Sequence, residues 1–466
     1  MKKILITLMI FALALTASGQ DITGDWYGTL KTPVGKLTVV LHISKNGDTY
    51  SSTMDSPDQG AKGIPMSTVT LNNDTLVLTH KDANIRYTGI ILGKDSVSGT
   101  FTQAGQSFPL GLSRKLIVQA SPKRPQDPVK PYPYREENVT FINPKGNFTL
   151  AGTLTLPAEG NKFPVVILIT GSGPQNRNEE LLGHKPFLIW ADYLTRRGIA
   201  VLRCDDRGSY ESKGDFSTAT TFDFTTDVEA AINYLKSRKD INLKKIGLMG
   251  HSEGGLIAPL VASRNKDVAF IVMLAGPGIS GGEILLRQQA LIAKVSGQSD
   301  KDIEISHSVN AEVFRMVNEI QQQDSLQAQI SRFLHSQAIE HPGVVLTKGS
   351  SIDDAVNIEV KTILNPWVLS FIRYNPEPTL EKVKCPVLAI IGSKDLQVPA
   401  DANLPVIEKA LKKAGNKHFT VKELPGLNHL FQECNTGAPA EYGQIEQTIS
   451  PSALQLVGDW IKVNTK

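Results

Sequence analysis

The stretch KIGLMGHSEGGLIAPLVASR, from Lys245 to Arg264, decides the fold that the sequence predicts. It begins with a short apolar run that is typical of a buried strand and ends in a segment with helical periodicity. Between the two, Ser252 stands between Gly250 and Gly254 in the pattern G-x-S-x-G. We predict a turn from strand to helix so tight that both flanking positions require small residues. A serine on such a turn is a candidate nucleophile.

A second match to G-x-S-x-G has Ser280 at its centre, within Gly278 to Gly282. A loop containing glycine and proline separates this serine from the strand before it, so no strand leads directly into the turn. We therefore expect Ser280 to lie at the start of an inserted segment, and Ser252 to be the reactive serine.

The overall composition limits the classes of protein to which this chain could belong. The chain has 466 residues, 41% of them hydrophobic and 20% charged, with a formal net charge of +3. This describes a globular protein large enough for a catalytic core and an accessory domain. A charge so close to zero gives no basic footprint for nucleic acid, and we expect no nucleic-acid partner.

The first residues, MKKILITLMIFALALTASGQ, have the organisation of a secretory signal peptide. Two lysines precede an apolar run that is shorter than the roughly 20 residues needed to span a bilayer. No cysteine follows the small residues at the predicted cleavage site, so a lipid anchor is not expected. We predict a signal peptide at 1–19, no membrane span in the mature chain, and a periplasmic or secreted protein.

Two regions with different periodicity follow. Residues 20–115 alternate apolar and polar positions in short runs, which predicts an all-β barrel or sandwich domain. Residues 116–133 contain prolines at 122, 125, 128, 131 and 133, and we expect them to form a stiff linker.

From 134 to 466 the pattern changes to strands that alternate with helices, which favours an α/β class with a mostly parallel sheet. Between the sixth and seventh strands, about 279–380, helical patterns occur without a convincing strand, and we predict a helical lid. The eight predicted strands lie near 135–142, 148–156, 163–169, 199–203, 245–249, 269–274, 386–391 and 418–424.

The partners that a nucleophilic serine needs are a base and an acid that orients the base. The seventh strand ends in GSKDLQVP, which places Asp395 in the loop after it. The eighth strand ends in PGLNHLF, which places His429 in the next strand-end loop. The carboxyl ends of parallel strands meet at one edge of a sheet, so Ser252, Asp395 and His429 are predicted to form a catalytic triad.

The negative charge on a reacting carbonyl oxygen requires N–H donors. We assign the first donor to the backbone amide of Glu253, the residue after the nucleophile. We assign the second donor to the backbone amide of Ser172 or of a residue directly next to it. Ser172 lies in the loop GSGPQNR after the third strand, where Gly171 and Gly173 allow close approach of the backbone to a substrate.

Five motifs together resemble the α/β-hydrolase superfamily, and within it the EstD-like bacterial carboxylesterases and prolyl-oligopeptidase-like serine hydrolases. The resemblance implies an eight-stranded, mostly parallel α/β-hydrolase sheet with a helical lid, and the same three catalytic residues. One departure is Thr170, which stands where relatives usually carry histidine before the oxyanion glycine. The motifs are GSGPQNR (171–177), DDRGSYESKGDF (205–216), GHSEGG (250–255), NPWVLSFIRYNPEPTLEKVKCPVLAIIGSKDLQVP (365–399) and PGLNHLFQ (425–432).

We therefore expect an exported serine hydrolase, a carboxylesterase that acts on short-acyl esters and needs no cofactor. The three cysteines lack metal-ligand spacing, and no metal is expected. The substrate is a small ester, with an acylated glycan or peptide as further options. A serine peptidase is the main alternative, because Glu253 or Glu283 would suit a substrate amine. A glycan-binding protein is the second alternative, with Trp26 and Tyr27 as a sugar platform, although aromatic residues near the start of a strand are more often core residues. The oligomeric state stays open.

Overall fold

The computed structural model describes residues 21–32, 35–59, 61–81, 85–103, 106–115, 123–345 and 351–466. The predicted signal peptide and residues 116–122 of the predicted linker lie outside these ranges. In the described ranges, none of the helices combines the length and the apolar character needed to cross a bilayer.

The first ten strands form a single antiparallel sheet, which we call the β domain. Its order is β4-β3-β2-β1-β10-β8-β7-β6-β5, with β9 paired to β8. The sheet surrounds one apolar core, which fits the barrel alternative better than a sandwich of two sheets. The strands are β1 (Gly24–Thr32), β2 (Gly35–Asn46), β3 (Thr49–Ser56), β4 (Ala61–Pro65), β5 (Thr68–Asn72), β6 (Thr75–His80), β7 (Ile85–Ile91), β8 (Ser96–Gln103), β9 (Gln106–Pro109) and β10 (Leu112–Ser113).

The suggested sugar platform at Trp26 and Tyr27 is not present. Trp26 is only 1% exposed, and its indole N–H donates to the carbonyl oxygen of Ile22 at 2.9 Å. The guanidinium of Arg114 lies 3.8 Å from the centre of the indole ring. Trp26 is therefore a core residue of the β domain, since a sugar-stacking ring needs an exposed face.

The second sheet has eight strands in the order β11-β12-β14-β13-β15-β16-β17-β18. It is mixed, because β12 pairs antiparallel with both β11 and β14, while the five pairings from β14 to β18 are parallel. The strands are β11 (Tyr134–Asn143), β12 (Phe148–Pro157), β13 (Phe163–Ile169), β14 (Ala200–Cys204), β15 (Ile241–His251), β16 (Val268–Leu274), β17 (Val387–Gly392) and β18 (Phe419–Leu424).

Thirteen helices lie in the described part of this region. They are α1 (Pro186–Thr195), α2 (Thr221–Lys236), α3 (Gly254–Ala262), α4 (Gly281–Val295), α5 (Asp300–Glu319), α6 (Gln323–Glu340), α7 (Pro342–Val345), α8 (Ile352–Ile363), α9 (Pro366–Arg373), α10 (Glu377–Leu380), α11 (Ala400–Lys413), α12 (Pro439–Tyr442) and α13 (Pro451–Asn464). Apolar residues of α2, α3 and α11 cover one face of the sheet, and those of α1 and α13 cover the other. This two-sided cover explains why β13, with the sequence FPVVILI, is apolar almost throughout.

The segment between β16 and β17 contains helices α4 to α10 and no strand in its described residues. Helices α5, α6 and α8 pack around a core of their own. A second cluster, which includes Ile284 of α4, Phe371 of α9 and Ile391 at the end of β17, joins this insertion to the sheet. We call the insertion, residues 279–380, the lid.

A charged cluster lies on the β domain, where His42 stands between two carboxylates. Its Nδ1 is 2.7 Å from Asp25 Oδ1, and its Nε2 is 3.1 Å from Asp55 Oδ2. The hydrogen bond to Asp25, helped by the bond to Asp55, raises the pKa of His42 above its usual value. The folded protein therefore holds this proton more tightly than the unfolded chain does.

We predict that His42→Asn flattens the pH dependence of stability above pH 6.5. The raised folded pKa means that the contribution is complete below the unfolded pKa of about 6.5 and is lost as pH rises through the folded value. The His42 side chain is 37% exposed, so the gain is small, about 0–1 kcal/mol. Urea midpoints of wild type and variant at pH 6 and pH 8 test this. Equal pH dependence in both would contradict it.

Candidate active site

Ser252 occupies the turn between β15 and α3 with a positive φ of +54°. A Cβ on Gly250 would lie 1.9 Å from the carbonyl oxygen of Gly254, and one on Gly254 would lie 2.2 Å from that of Ile169. Neither contact is sterically possible, so both positions require glycine. This turn has the geometry of a nucleophile elbow, with Ser252 as the candidate nucleophile.

His429 and Asp395 come together at the carboxyl ends of β18 and β17. The imidazole Nδ1–H of His429 donates to Asp395 Oδ2 at 2.8 Å, and both side chains are buried. The other carboxylate oxygen accepts the backbone N–H groups of Gln397 and Val398, each at 2.8 Å. Asp395 is therefore held in place on both oxygens, and it orients the imidazole ring.

Ser252 and His429 line one cavity of about 260 Å³ beneath the lid. Within the described residues, the serine hydroxyl and the imidazole share this cavity without a direct hydrogen bond, which is common in ligand-free active sites. The other lining residues are Gly171, Ser172, Gln175, Glu179, Leu181, Pro186, His251, Glu253, Pro277, Ile284, Leu285, Gln288, Trp367, Phe371, Gln397, Val398 and Leu430.

The loop after β13 approaches the elbow closely, since a Cβ on Gly171 would lie 3.2 Å from Ser252 Cβ. The N–H of Gly171 already donates to Glu179 Oε1 at 2.9 Å, so it is not free for an oxyanion. Ser172 lines the cavity beside Glu253, which favours Ser172 as the second donor. Of the two glycines expected to contact substrate, only Gly171 lines the cavity, whereas Gly173, at φ +95°, turns the loop.

Sequence reasoning missed a buried contact between Glu179 and His251. The imidazole Nδ1–H of His251 donates to Glu179 Oε1, and its Nε2–H donates to the carbonyl oxygen of His429, both at 3.0 Å. Burial opposes a charge on this ring, but the Glu179 carboxylate outweighs burial and raises the pKa of His251. Because both ring nitrogens face acceptors, the ring is favoured as an imidazolium.

Glu179 Oε1 thus bonds directly to the backbone of Gly171 and to the ring of His251. The His251 ring extends the connection to the backbone of His429. No motif marks this glutamate, which stands in an ordinary polar run, NRNEE. Only the fold brings it to the elbow, so the sequence carried no signal for it.

Thr170, the departure from the family pattern, has a partner of its own. Its hydroxyl donates to Asp206 Oδ1 at 2.6 Å, and the backbone N–H of Gln175 donates to Asp206 Oδ2 at 2.8 Å. Asp206 therefore clamps both ends of the short loop that carries Gly171 and Ser172. The hydroxyl of Thr170 thus helps to fix the loop through Asp206.

The carboxylate of Glu253 is 2% exposed and holds the lid. Its Oε1 accepts the hydroxyl of Thr221 at 2.6 Å and the indole N–H of Trp367, on lid helix α9, at 2.8 Å. Burial raises the pKa of this carboxyl group, against the hydrogen bonds that it accepts. Glu253 thus lines the cavity, and its side chain anchors the lid through Trp367.

Ser280 serves a structural purpose. It caps the N-terminus of α4, and its hydroxyl accepts the N–H of Glu283 at 3.4 Å. It does not line the catalytic cavity. The Glu283 carboxylate pairs with Arg287 one turn further along the helix, at 2.9 Å.

We predict that Glu253→Gln is mild and Glu253→Ala is severe. An amide oxygen still accepts from Thr221 and Trp367, whereas alanine leaves the buried hydroxyl of Thr221 and the part-buried indole N–H of Trp367 without their acceptor, at a cost of about 1–3 kcal/mol. Thermal unfolding and ester turnover of both variants test this. Thr221→Val, which removes one donor and leaves the indole bond, is the matched control. Equal loss in Gln and Ala variants would contradict the lid anchor.

Parts of this chain are similar to known proteins. The family described as "Serine aminopeptidase, S33" matches residues 187–332, which include Ser252 but neither Asp395 nor His429. Esterase EstD of Thermotoga maritima is 30% identical over 184 residues, covering 40% of this chain and 42% of EstD. The match thus spans less than half of the length of that relative.

Two solved structures extend the comparison. An esterase of Pyrococcus furiosus shares 17% identity at a TM-score of 0.43, covering 74% of this chain and 98% of its own. Est1E from Butyrivibrio proteoclasticus, with bound ferulic acid, shares 19% identity at a TM-score of 0.39, covering 70% and 96%. The predicted resemblance of this chain to the EstD-like α/β-hydrolases is confirmed.

Proposed function

We propose that this chain is an exported serine carboxylesterase that cleaves short-acyl esters through an acyl-enzyme on Ser252. The observation that carries the proposal is the buried His429–Asp395 pair, whose imidazole faces the same cavity as a serine on a strained elbow. The similarity to Esterase EstD, which extends over 184 residues, supports ester hydrolysis over other acyl transfers.

In this proposal His429 Nε2 takes the proton of Ser252 as its oxygen attacks the ester carbonyl. The amides of Glu253 and Ser172 stabilise the oxyanion, and the protonated imidazole then donates to the leaving alcohol. Water, activated by the same imidazole, hydrolyses the acyl-enzyme. Asp395 accepts the Nδ1–H of His429 and so keeps the proton of the neutral ring on that nitrogen.

The size and lining of the cavity support a small substrate. Its volume of about 260 Å³ lies below the range of about 300–1,000 Å³ that is usual for drug-sized ligands. Leu285, Trp367 and Phe371 of the lid make one side of it apolar. A short acyl chain gains from this surface, while a long chain exceeds the volume.

A peptidase is the second candidate, because the S33 description covers residues 187–332. An aminopeptidase needs a carboxylate for the amine of its substrate. Among the described lining residues, the carboxylates are those of Glu179 and Glu253, and both already accept hydrogen bonds. Glu283 is half exposed and paired with Arg287. Anchoring of an amine is therefore less well supported than binding of a neutral ester.

We predict that a panel of p-nitrophenyl esters is hydrolysed and that kcat/KM is greatest for the shortest acyl chains. Aminoacyl- and prolyl-p-nitroanilides, offered at equal concentration, should be turned over far more slowly. Steady-state kinetics on both panels separate the two candidates. Faster cleavage of the anilides would favour the peptidase.

We further predict that a fluorophosphonate probe labels wild type and Ser280→Ala but not Ser252→Ala. Ser280→Ala is the matched control, because it removes a serine from the same sequence pattern and only weakens a helix cap. In-gel fluorescence at equal protein concentration gives the readout. Labelling that survives in Ser252→Ala and disappears in Ser280→Ala would overturn the assignment.

A further inference from the structure

The loop from Asn176 to His184 connects the β domain with the catalytic cavity. Leu181 lines the cavity, while the next residue, Leu182, packs against the core of the β domain. The backbone N–H of Leu182 donates to the carbonyl oxygen of Asp58 at 2.8 Å. Two neighbouring residues of one loop thus face the two domains.

The Asp58 side of this contact is itself fixed. Asp58 lies in a short turn, Pro57–Gln59, after β3, and its Oδ2 accepts the N–H of Thr38 on β2 at 2.5 Å. The turn is therefore tied to the sheet of the β domain, and through it the N–H of Leu182 is bonded to that sheet.

The backbone carbonyl group of Leu182 is held by Arg124. The guanidinium donates to the carbonyl oxygens of Leu182 and Ile445, each at 2.8 Å, and to that of Gly443 at 3.1 Å. Both polar backbone groups of Leu182 are thus fixed, the N–H by the β domain and the C=O by Arg124. A planar guanidinium is suited to binding several carbonyls at once.

The backbone of the loop shows why such fixing is needed. Leu182 and Glu179 both have a φ of +52°, a conformation that residues with a Cβ rarely adopt. Strained residues of this kind persist only where the surrounding contacts determine them. Glu179 is then three residues from the anchor and presents its carboxylate to Gly171 and His251.

We propose that the β domain positions the catalytic loops through this loop, with Leu182 as the anchor and Glu179 as the contact at the active site. Glu179 and Leu182 are positioning residues, since they act on Gly171, His251 and His429 rather than on the substrate. The β domain then has a role in turnover of even the smallest ester. A domain that only recruits a polymeric substrate would have no such role.

The proposal rests on the proposed esterase function for its kinetic readout, so a second readout that needs no substrate is included. The test uses the full-length chain with Leu182→Ala and Arg124→Lys, which weaken the anchor from either side. Tyr87→Phe is the matched control, because it removes a buried hydroxyl bond to the carbonyl oxygen of Leu110 inside the β domain, away from the loop.

We expect Leu182→Ala to lower kcat for p-nitrophenyl acetate by about 10- to 100-fold, the usual effect of misplacing a catalytic group by about 1 Å. KM should change little, because the cavity lining is retained. Arg124→Lys should give a smaller loss of the same kind, and Tyr87→Phe should retain wild-type kcat. Hydrogen–deuterium exchange of peptides that contain Gly171 should rise in Leu182→Ala and Arg124→Lys only.

Wild-type kcat and wild-type exchange at Gly171 in both anchor variants would overturn the proposal. A loss of kcat in Tyr87→Phe equal to that in Leu182→Ala would also overturn it, since general destabilisation of the β domain would then explain both. If wild type hydrolyses no ester, the proposed function fails, while the exchange measurement still decides whether the β domain fixes the loop. Should Leu182→Ala not fold, Arg124→Lys carries both readouts.

Discussion

The catalytic region depends on one steric constraint, the contact of Gly254 with the carbonyl oxygen of Ile169 at the centre of the sheet. Helix α3 can start directly above the end of β13 only because no Cβ intervenes. Ser252, two residues before Gly254 in the same turn, has a positive φ of +54°. The close approach of α3 to β13 also brings the loop after β13 against Ser252, at Gly171. The candidate nucleophile and the predicted oxyanion donors thus lie in segments that the same close packing brings together.

Buried carboxylates hold the loops that this packing brings together. Asp206 clamps the loop of Thr170, Glu179 connects that loop with His251, and Glu253 holds Trp367 of the lid. A buried carboxylate is costly unless hydrogen bonds compensate the loss of water, and each of these accepts two or more. These carboxylates act by positioning, because each hydrogen bond holds a segment that contributes residues to the cavity.

Much of this architecture could be predicted because strands and turns leave local patterns. The predicted strand 163–169 has the bounds that the structure shows, and Asp395 and His429 meet because each follows a strand of the same sheet. The pattern did not reveal that β12 pairs antiparallel with both β11 and β14, which makes the sheet mixed, because strand pairing depends on tertiary packing.

The contacts that connect distant segments could not be predicted. Glu179 and His251 are 72 residues apart, and Glu253 and Trp367 are 114 apart, with no shared motif to pair them. Sequence patterns are local, whereas these hydrogen bonds exist only after the sheet has formed. The same applies to Leu182. Its sequence context is that of an ordinary loop residue, and its contact with the core of the β domain depends on the folded structure.

The measurement that tests the central claim most directly is a rapid-quench reaction with p-nitrophenyl acetate, followed by peptide mass mapping. The account predicts an acetyl group on the peptide that contains Ser252, formed in a burst with the first equivalent of p-nitrophenol. It also predicts that the adduct accumulates in Asp395→Asn only slowly, because an imidazole without its orienting acid is a poor base. Acetylation of another residue, or full turnover without any adduct on Ser252, would contradict the account.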